Sequence, residues 1–368
     1  MHCHGMWGAR GPEEAIPRAT LWPMTNYDGS AATDADAGRP SRTPRSLLRW
    51  LATIALITVA VPALARAFSV EAGPLAIVLA LMPWVALAAL IPLLLALVAR
   101  AWWLAGASAA VLAQCVGWLA PLYIAESRPD EGGEFTVASL NMTFGQVNAD
   151  AVVEWVADHQ VDVLSAQEVT PQAVEALARA GLDELLPHSQ VAAEPGVTGT
   201  GLWSRTPLAN AESLSGFTGP GSRYTSRAAR GDVEVAPGAV VTVIAVHPAA
   251  PGLMDHSAWS ASLDSMTDYL AQQEGPMLVV GDFNTTRDHR AFRDLQNQGF
   301  IDAADQAGAG FAPTFPQGRG PFPVAAIDHA LARDAPLTAT RVSTHALAGA
   351  DHRGIVVTYV VHEPVSEN

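Results

Sequence analysis

At 368 residues the chain has room for more than one domain, and its 21 basic residues are all arginine, a compositional mark of a GC-rich genome rather than of a function. Charge divides it: residues 1–125 carry eight Arg against six acids, a net of +2, whereas 126–368 carry thirteen Arg against thirty acids, a net of −17. A surface that acidic repels a polyanion such as DNA, and since Cys3 and Cys115 both precede it, the acidic part has neither a disulfide framework nor a cysteine metal site.

In chain order, residues 1–46 mix Gly, Pro, Ser, Thr, Asp and Arg without apolar period and are expected to be a disordered cytoplasmic N-terminus. His2, Cys3 and His4 read as ordinary tail residues there, not as a metal cluster. Residues 47–125 are expected to form three transmembrane helices, over about 47–68, 74–99 and 101–125, because about 20 apolar residues cross a bilayer core and these stretches keep no polar face. Arg39, Arg42, Arg45 and Arg49 lie before or at the start of the first span, Arg66 follows it, and Arg100 separates the second from the third. That asymmetry puts the N-terminus inside and everything after the third span outside the cytoplasm. Residues 126–134, rich in Pro, Gly and acids, form the linker, and 363–368 the tail.

From Phe135 to His362 the texture is that of a layered α/β domain. Strands are expected over Phe135–Leu140, Val161–Ala166, Gly199–Ser204, Val233–Val235, Ala239–Val246, Met277–Val280, Val324–Ala332, Leu337–Ala346 and Ile355–Val361. Helices are expected over Ala149–His159, Pro171–Ala180 and Asp255–Gln273. Polar groups sit at the ends of the apolar strands: Asn141, Glu168, His247, Asp282 with Asn284, and Asp351 with His352, while Asp328 falls inside another. One such group is easily a turn former; so many at strand ends are hard to explain as caps. Carboxylates gathered at one place repel by about 4 kcal/mol per pair at 4 Å and an effective dielectric of 20. A cluster of Glu168, Asp282, Asp328 and Asp351 therefore calls for a cation, and oxygen ligands favour Mg²⁺, Mn²⁺ or Ca²⁺ over zinc.

The ordered set Asn141, Gln167-Glu168, Gly201-Leu202-Trp203-Ser204-Arg205, His247-Pro248, Gly281-Asp282-Phe283-Asn284, Ile327-Asp328-His329 and Asp351-His352 resembles the endonuclease/exonuclease/phosphatase superfamily. The resemblance implies a DNase I-like α/β (α+β) four-layered sandwich over 135–362. It implies Mg²⁺ or Mn²⁺ held by Glu168 with Asn141 and Asp351 beside it. Asp282 would orient or deprotonate the attacking water, Asn284 bind the scissile phosphate, His352 stabilise the phosphorane-like charge with Asp328 holding it, and His247 serve the leaving group. Ala350 stands where the family has serine, and no acidic partner for His247 is visible. Arg223 and Arg227 are candidate phosphate-binding residues. His329 is expected to alternate to the opposite face and pack; His159, His188, His289, His345 and His362 read as core or surface histidines.

Three spans ahead of such a domain are similar to the membrane-anchored actinomycete members of that family. This implies a multi-pass cell-membrane protein whose extracytoplasmic domain hydrolyses a phosphate ester or pyrophosphate, with the bilayer and a phosphorylated small-molecule or lipid-linked substrate as partners. An extracytoplasmic metal-dependent endonuclease and a catalytically degenerate binding or sensor module are the alternatives; the acidic charge disfavours the first, and the complete set of motif acids the second.

Overall fold

The computed structural model describes residues 44–126, 132–218 and 225–362. Most of the N-terminal segment, part of the linker, the tail and Arg223 lie outside them.

The first helix, α1 (Pro44–Ala67), and the last of the apolar region, α5 (Trp102–Leu119, extended by one tight turn to Tyr123), are long and apolar enough to cross a membrane. Among the described residues no third helix meets that measure. The expected second span is divided into α2 (Leu75–Leu79), α3 (Met82–Ala88) and α4 (Leu90–Val98). Hydropathy alone reads this stretch as one span, but prolines interrupt it. Pro83 opens α3 and Pro92 lies near the start of α4, and a proline lacks an N–H and disfavours helix in the residue before it. α1, α4 and α5 pack together around Leu104 and through Ala52, Ala96 and Ala99, small residues that let helices approach closely.

The remainder alternates strands and helices: β1 (Gly133–Asn141), α6 (Ala149–Asp158), β2 (Val163–Gln167), α7 (Pro171–Ala180), α8 (Leu182–Leu185), β3 (His188–Ala192), β4 (Thr200–Ser204), β5 (Leu208–Leu214), β6 (Ala228–Ala236), β7 (Ala239–Val246), α9 (Ser257–Ala271), β8 (Met277–Asp282), α10 (Arg290–Asn297), β9 (Ile301–Asp302), α11 (Ala303–Gln306), β10 (Asp328–Arg333), β11 (Leu337–Ala346) and β12 (Arg353–Val361). Capping follows the sequence closely. Asn148 accepts from Ala151 N–H at the start of α6, Thr170 accepts from Ala173 N–H ahead of Pro171 in α7, and Gly181 ends α7 in the left-handed conformation.

The strands form two six-stranded mixed sheets, ordered β11-β12-β1-β2-β4-β3 and β5-β6-β7-β8-β10-β9. Phe135, Val137, Val163, Val243, Val280, Val357 and Tyr359 fill the space between the sheets. The alternate residues of β1 and β2, such as Ala138, Leu140 and Leu164, face Val152, Trp155 and Leu177 of α6 and α7. Ile244, Val246, Val279 and Leu331 do the same against Trp259, Met266, Phe292 and Leu295 of α9 and α10. The result is helix, sheet, sheet, helix: four layers.

Pairing explains why the polar groups meet. β1 runs parallel to β2 and β7 parallel to β8, so the C-terminal ends of each pair lie together. β12 runs antiparallel to β1 and β10 antiparallel to β8, which brings their N-terminal ends to the same lip. Asp328 pairs directly with Asp282. It starts its strand rather than lying inside one, because Val324 to Ile327 leave the sheet and bridge to Phe315 through Ala325. Six elements of this domain were not expected from the sequence: the edge strands β3, β5 and β9, and the short helices α8, α10 and α11.

Candidate active site

At the lip, Asp282 is the hub. One carboxylate oxygen, Oδ2, lies 3.1 Å from Asn141 Nδ2, 3.4 Å from His247 Nε2 and 3.7 Å from His352 Nε2. The other, Oδ1, accepts from Asn284 N–H at 2.8 Å. Asn284 turns the chain in the left-handed region, and its side chain donates to Pro248 O. Trp259 of α9 secures the same turn by donating its indole N–H to Asn284 O. Gly281 is required just before the hub: a Cβ there would collide with Val246 O of the parallel neighbour β7.

The site's electrostatics follow from this crowding. Burial pushes Asp282 toward its neutral form, yet His352 and His247 outweigh it and hold the carboxyl down at about 2. Burial likewise opposes charge on His352, but Asp328 and Asp282 raise its imidazole to about 10. His352 Nδ1 donates to Asp328 Oδ2 at 2.9 Å, which fixes the ring and leaves Nε2–H turned toward Asp282. Burial works against charge on His247 as well, and its hydrogen bond to Asp282 wins, so its pKa rises. Asp282 is thus the acidic partner of His247, while Val197 O accepts from His247 Nδ1 at 3.1 Å.

Glu168, in the left-handed conformation beyond β2, accepts from Asn141 Nδ2 at 3.2 Å and from Phe144 N–H at 2.7 Å. Thr143 ties the third acid in: its N–H donates to Asn141 Oδ1 and its hydroxyl to Asp351 Oδ1 at 2.7 Å. Among the described residues the titratable groups close enough to share one ion are Asp282, Asp328 and His352. In that trio, however, the imidazole is engaged by Asp328 and held in its cationic form. The second set, Asn141, Glu168 and Asp351, offers oxygens alone. Asn141 Nδ2 lies between the Glu168 and Asp282 carboxylates, a point of strongly negative potential. That donor chemistry fits a hard divalent cation.

Glu168, His247, Asp282, Asn284, Asp351 and His352 line one cavity of about 600 Å³, with Asn141 and Asp328 bonded to its lining groups. Arg227 is not brought there. Its guanidinium is engaged by Glu194 at 2.9 Å, a half-exposed pair away from the cavity. The cavity's arginine is instead Arg319, whose Nη2 donates to Asp351 Oδ2 at 3.2 Å. It belongs to a loop without periodicity, so nothing in the sequence distinguished it. His329 faces away, between Asp302 and the rings of Phe283 and Phe292.

A second group escaped sequence reasoning altogether. The α1–α2 loop and the helix ends that flank it are fastened to the loop after β8, the one that carries Asn284. Arg66, buried over the ring of Trp118, pairs with buried Asp288 at 2.5 Å. Arg293 donates to Asp288 O, to Arg66 O and to Ser69 Oγ. Glu71 accepts from Arg290 N–H at 2.5 Å, at the positive end of α10. His289 accepts from Thr286 N–H at Nδ1 and donates from Nε2 to Ala76 O at 2.7 Å; burial lowers its pKa, in keeping with this neutral tautomer. His256 Nε2 donates to Gly73 O.

Residues 138–352 match the model of the Endonuclease/Exonuclease/phosphatase family. No curated protein matches the sequence. Among solved structures, the fold is similar to that of a functionally unknown conserved protein from Enterococcus faecalis V583, with a TM-score of 0.51 at 16% identity over 62% of this chain and 100% of that one. It is also similar to an endonuclease/exonuclease/phosphatase from Bacteroides vulgatus, with a TM-score of 0.50 at 17% identity over 62% of this chain and 100% of the other.

Proposed function

The chain belongs to the endonuclease/exonuclease/phosphatase family, and on that premise we propose that it is a membrane-anchored, divalent-metal-dependent phosphoesterase acting on a phosphate ester or pyrophosphate at the outer membrane face. The observation that carries this reading is the convergence of Asn141, His247 and His352 on one oxygen of Asp282 within the cavity that also holds Glu168 and Asp351.

Each residue has a distinct task. A carboxyl held at about 2 is a weak base, so Asp282 orients the attacking water by accepting its hydrogen bond rather than by taking its proton. His352, cationic through Asp328, turns a fixed N–H toward the charge that develops on phosphorus oxygens. His247 donates to the departing oxygen, and Asn284 binds the phosphate. Glu168, Asp351 and Asn141 would hold Mg²⁺ or Mn²⁺, which when bound supplies charge neutralisation at the phosphoryl oxygens.

The helix arrangement supports anchoring. Arg49 and Arg100 line one recess together with Trp50, Trp102 and Trp103, at the end of α1 and α5 remote from the Asp288 clamp. Arginine and tryptophan gathered at one end suit a cytoplasmic interface, which leaves the α/β domain outside. The kinked α3–α4 stretch, Met82–Val98, serves as the returning crossing. In this arrangement the protein resembles the membrane-anchored actinomycete type that includes the teicoplanin-resistance protein VanJ, and a lipid-linked envelope phosphate is the substrate it suggests. The apolar cavity wall and the acidic domain both disfavour a nuclease, which needs cations along a backbone.

A panel of plasmid DNA, phospholipids, inositol phosphates and polyprenyl pyrophosphates, each with Mg²⁺ and with EDTA, tests the reading. Turnover of a phosphorylated amphiphile that EDTA abolishes is the expected result; turnover of DNA alone, or none at all, refutes it. A periplasm-dependent reporter fused after Asn368 should be active, and activity of a cytoplasm-dependent reporter there would reverse the orientation.

A further inference from the structure

The cavity that holds the catalytic groups is not built by the α/β domain alone. Ala76, Ile77, Ala80 and Leu81, from α2 and the turn after it, line it together with Asp282 and His352. Across from the polar groups' own loops, Phe315 and Val324 contribute apolar surface, and the Phe315 ring lies 4.8 Å from the His352 ring. Apolar lining thus begins at the catalytic imidazole itself. A site meant for a small hydrophilic phosphate gains nothing from such a wall, since apolar surface binds only what water rejects.

Nor is the wall a loose neighbour. His289 holds Ala76 O and His256 holds Gly73 O, so α2 is bonded at its start to the domain's own histidines. On the other side Trp84 of α3 donates its indole N–H to Val324 O at 2.8 Å and stacks on Phe322. The helical region therefore supplies one apolar surface and anchors the loop that supplies the other. Ile77, Ala80 and Leu81 remain only half-buried, with side chains available to a ligand.

We infer that Ile77, Ala80 and Leu81 are substrate-binding, specificity-determining residues that receive the apolar chain of an amphiphilic phosphate ester while its phosphorus sits at Asp282 and His352. The inference rests on the hydrolase reading above and adds to it the part of the molecule that selects the chain. It makes the helical region a component of the active site and not merely a tether.

The test uses the full chain in detergent with Mg²⁺ and two diesters that differ only in chain length, ethyl p-nitrophenyl phosphate and hexadecyl p-nitrophenyl phosphate. Water attacks phosphorus, the bond to the nitrophenyl oxygen breaks, and nitrophenolate leaves with the alkyl phosphate as the other product. The readout is the ratio of kcat/KM for the hexadecyl over the ethyl ester. Partition into micelles raises that ratio equally for every variant, so the comparison among variants isolates the wall. Ile77→Ser, which makes the wall polar, and Ala80→Phe, which fills the groove, should each lower the ratio by at least roughly tenfold, the scale of a few lost methylene contacts. Ile77→Leu should keep it. An unchanged ratio in both Ile77→Ser and Ala80→Phe overturns the inference and leaves the hydrolase reading standing. No hydrolysis of either ester by the wild type overturns both.

Discussion

Two regions build the Asp282 cavity by opposite means. The strand-end lip gathers Asn141, Glu168, His247, Asp282, Asp328, Asp351 and His352 through sheet pairing, where register moves side chains in whole-residue steps and a slip would turn every one to the wrong face. The end of α1, the α1–α2 loop and the start of α2 reach the same cavity through single polar bonds spanning more than two hundred residues, Arg66 to Asp288 and Ala76 to His289 among them. The clustered polar groups come from the part of the fold whose geometry is over-determined. The wall comes from a part held by a few contacts, each of which can be removed by itself.

The largest effect that separates the regions lies in the clamp. Asp288→Ala leaves the Arg66 guanidinium buried without its carboxylate, and should cost on the order of 3 kcal/mol, seen as a lower denaturation midpoint of the full chain. A midpoint equal to wild type would mean that the clamp carries no stability and that the two regions are independent.

Slightly smaller in free energy, and confined to catalysis, are Asp282→Asn and His352→Ala. Each should lower kcat by at least about a hundredfold with little change in substrate binding, while the folded state persists. His329→Ala, next in sequence to Asp328 but against Phe283 and Phe292, should keep activity provided the domain folds. Wild-type turnover by Asp282→Asn would sink the hydrolytic mechanism; a dead, natively stable His329→Ala would show that both faces of β10 serve the reaction.

The smallest effect sharpens the contrast. Glu71→Gln removes a charge from the N-terminal end of α10 but keeps an acceptor, so it should cost only about 0.5–1 kcal/mol. A loss as large as that of Asp288→Ala would mean that the loop docks as one unit and not bond by bond.

The sequence by itself marked out a layered α/β domain and the polar groups at its strand ends, since short β-branched apolar runs followed by Asn, Glu, His and Asp are local patterns; the four layers were implied by the family resemblance. It also carried the partition into an apolar and an acidic part. Tertiary structure alone decided the rest. Asp282 became the partner of His247 because β7 and β8 run parallel side by side, a fact no spacing encodes. Arg227 was lost to Glu194 and Arg319 gained by the cavity, because which arginine meets an acid depends on where two loops fold. The stretch from Pro74 to Ala99 is uniformly apolar, so hydropathy describes it as one helix. Its prolines and the histidines waiting in the α/β domain make it three short ones, the first of them a wall of the Asp282 cavity. Hydropathy measures what a segment avoids, and only long-range contacts decide what it touches.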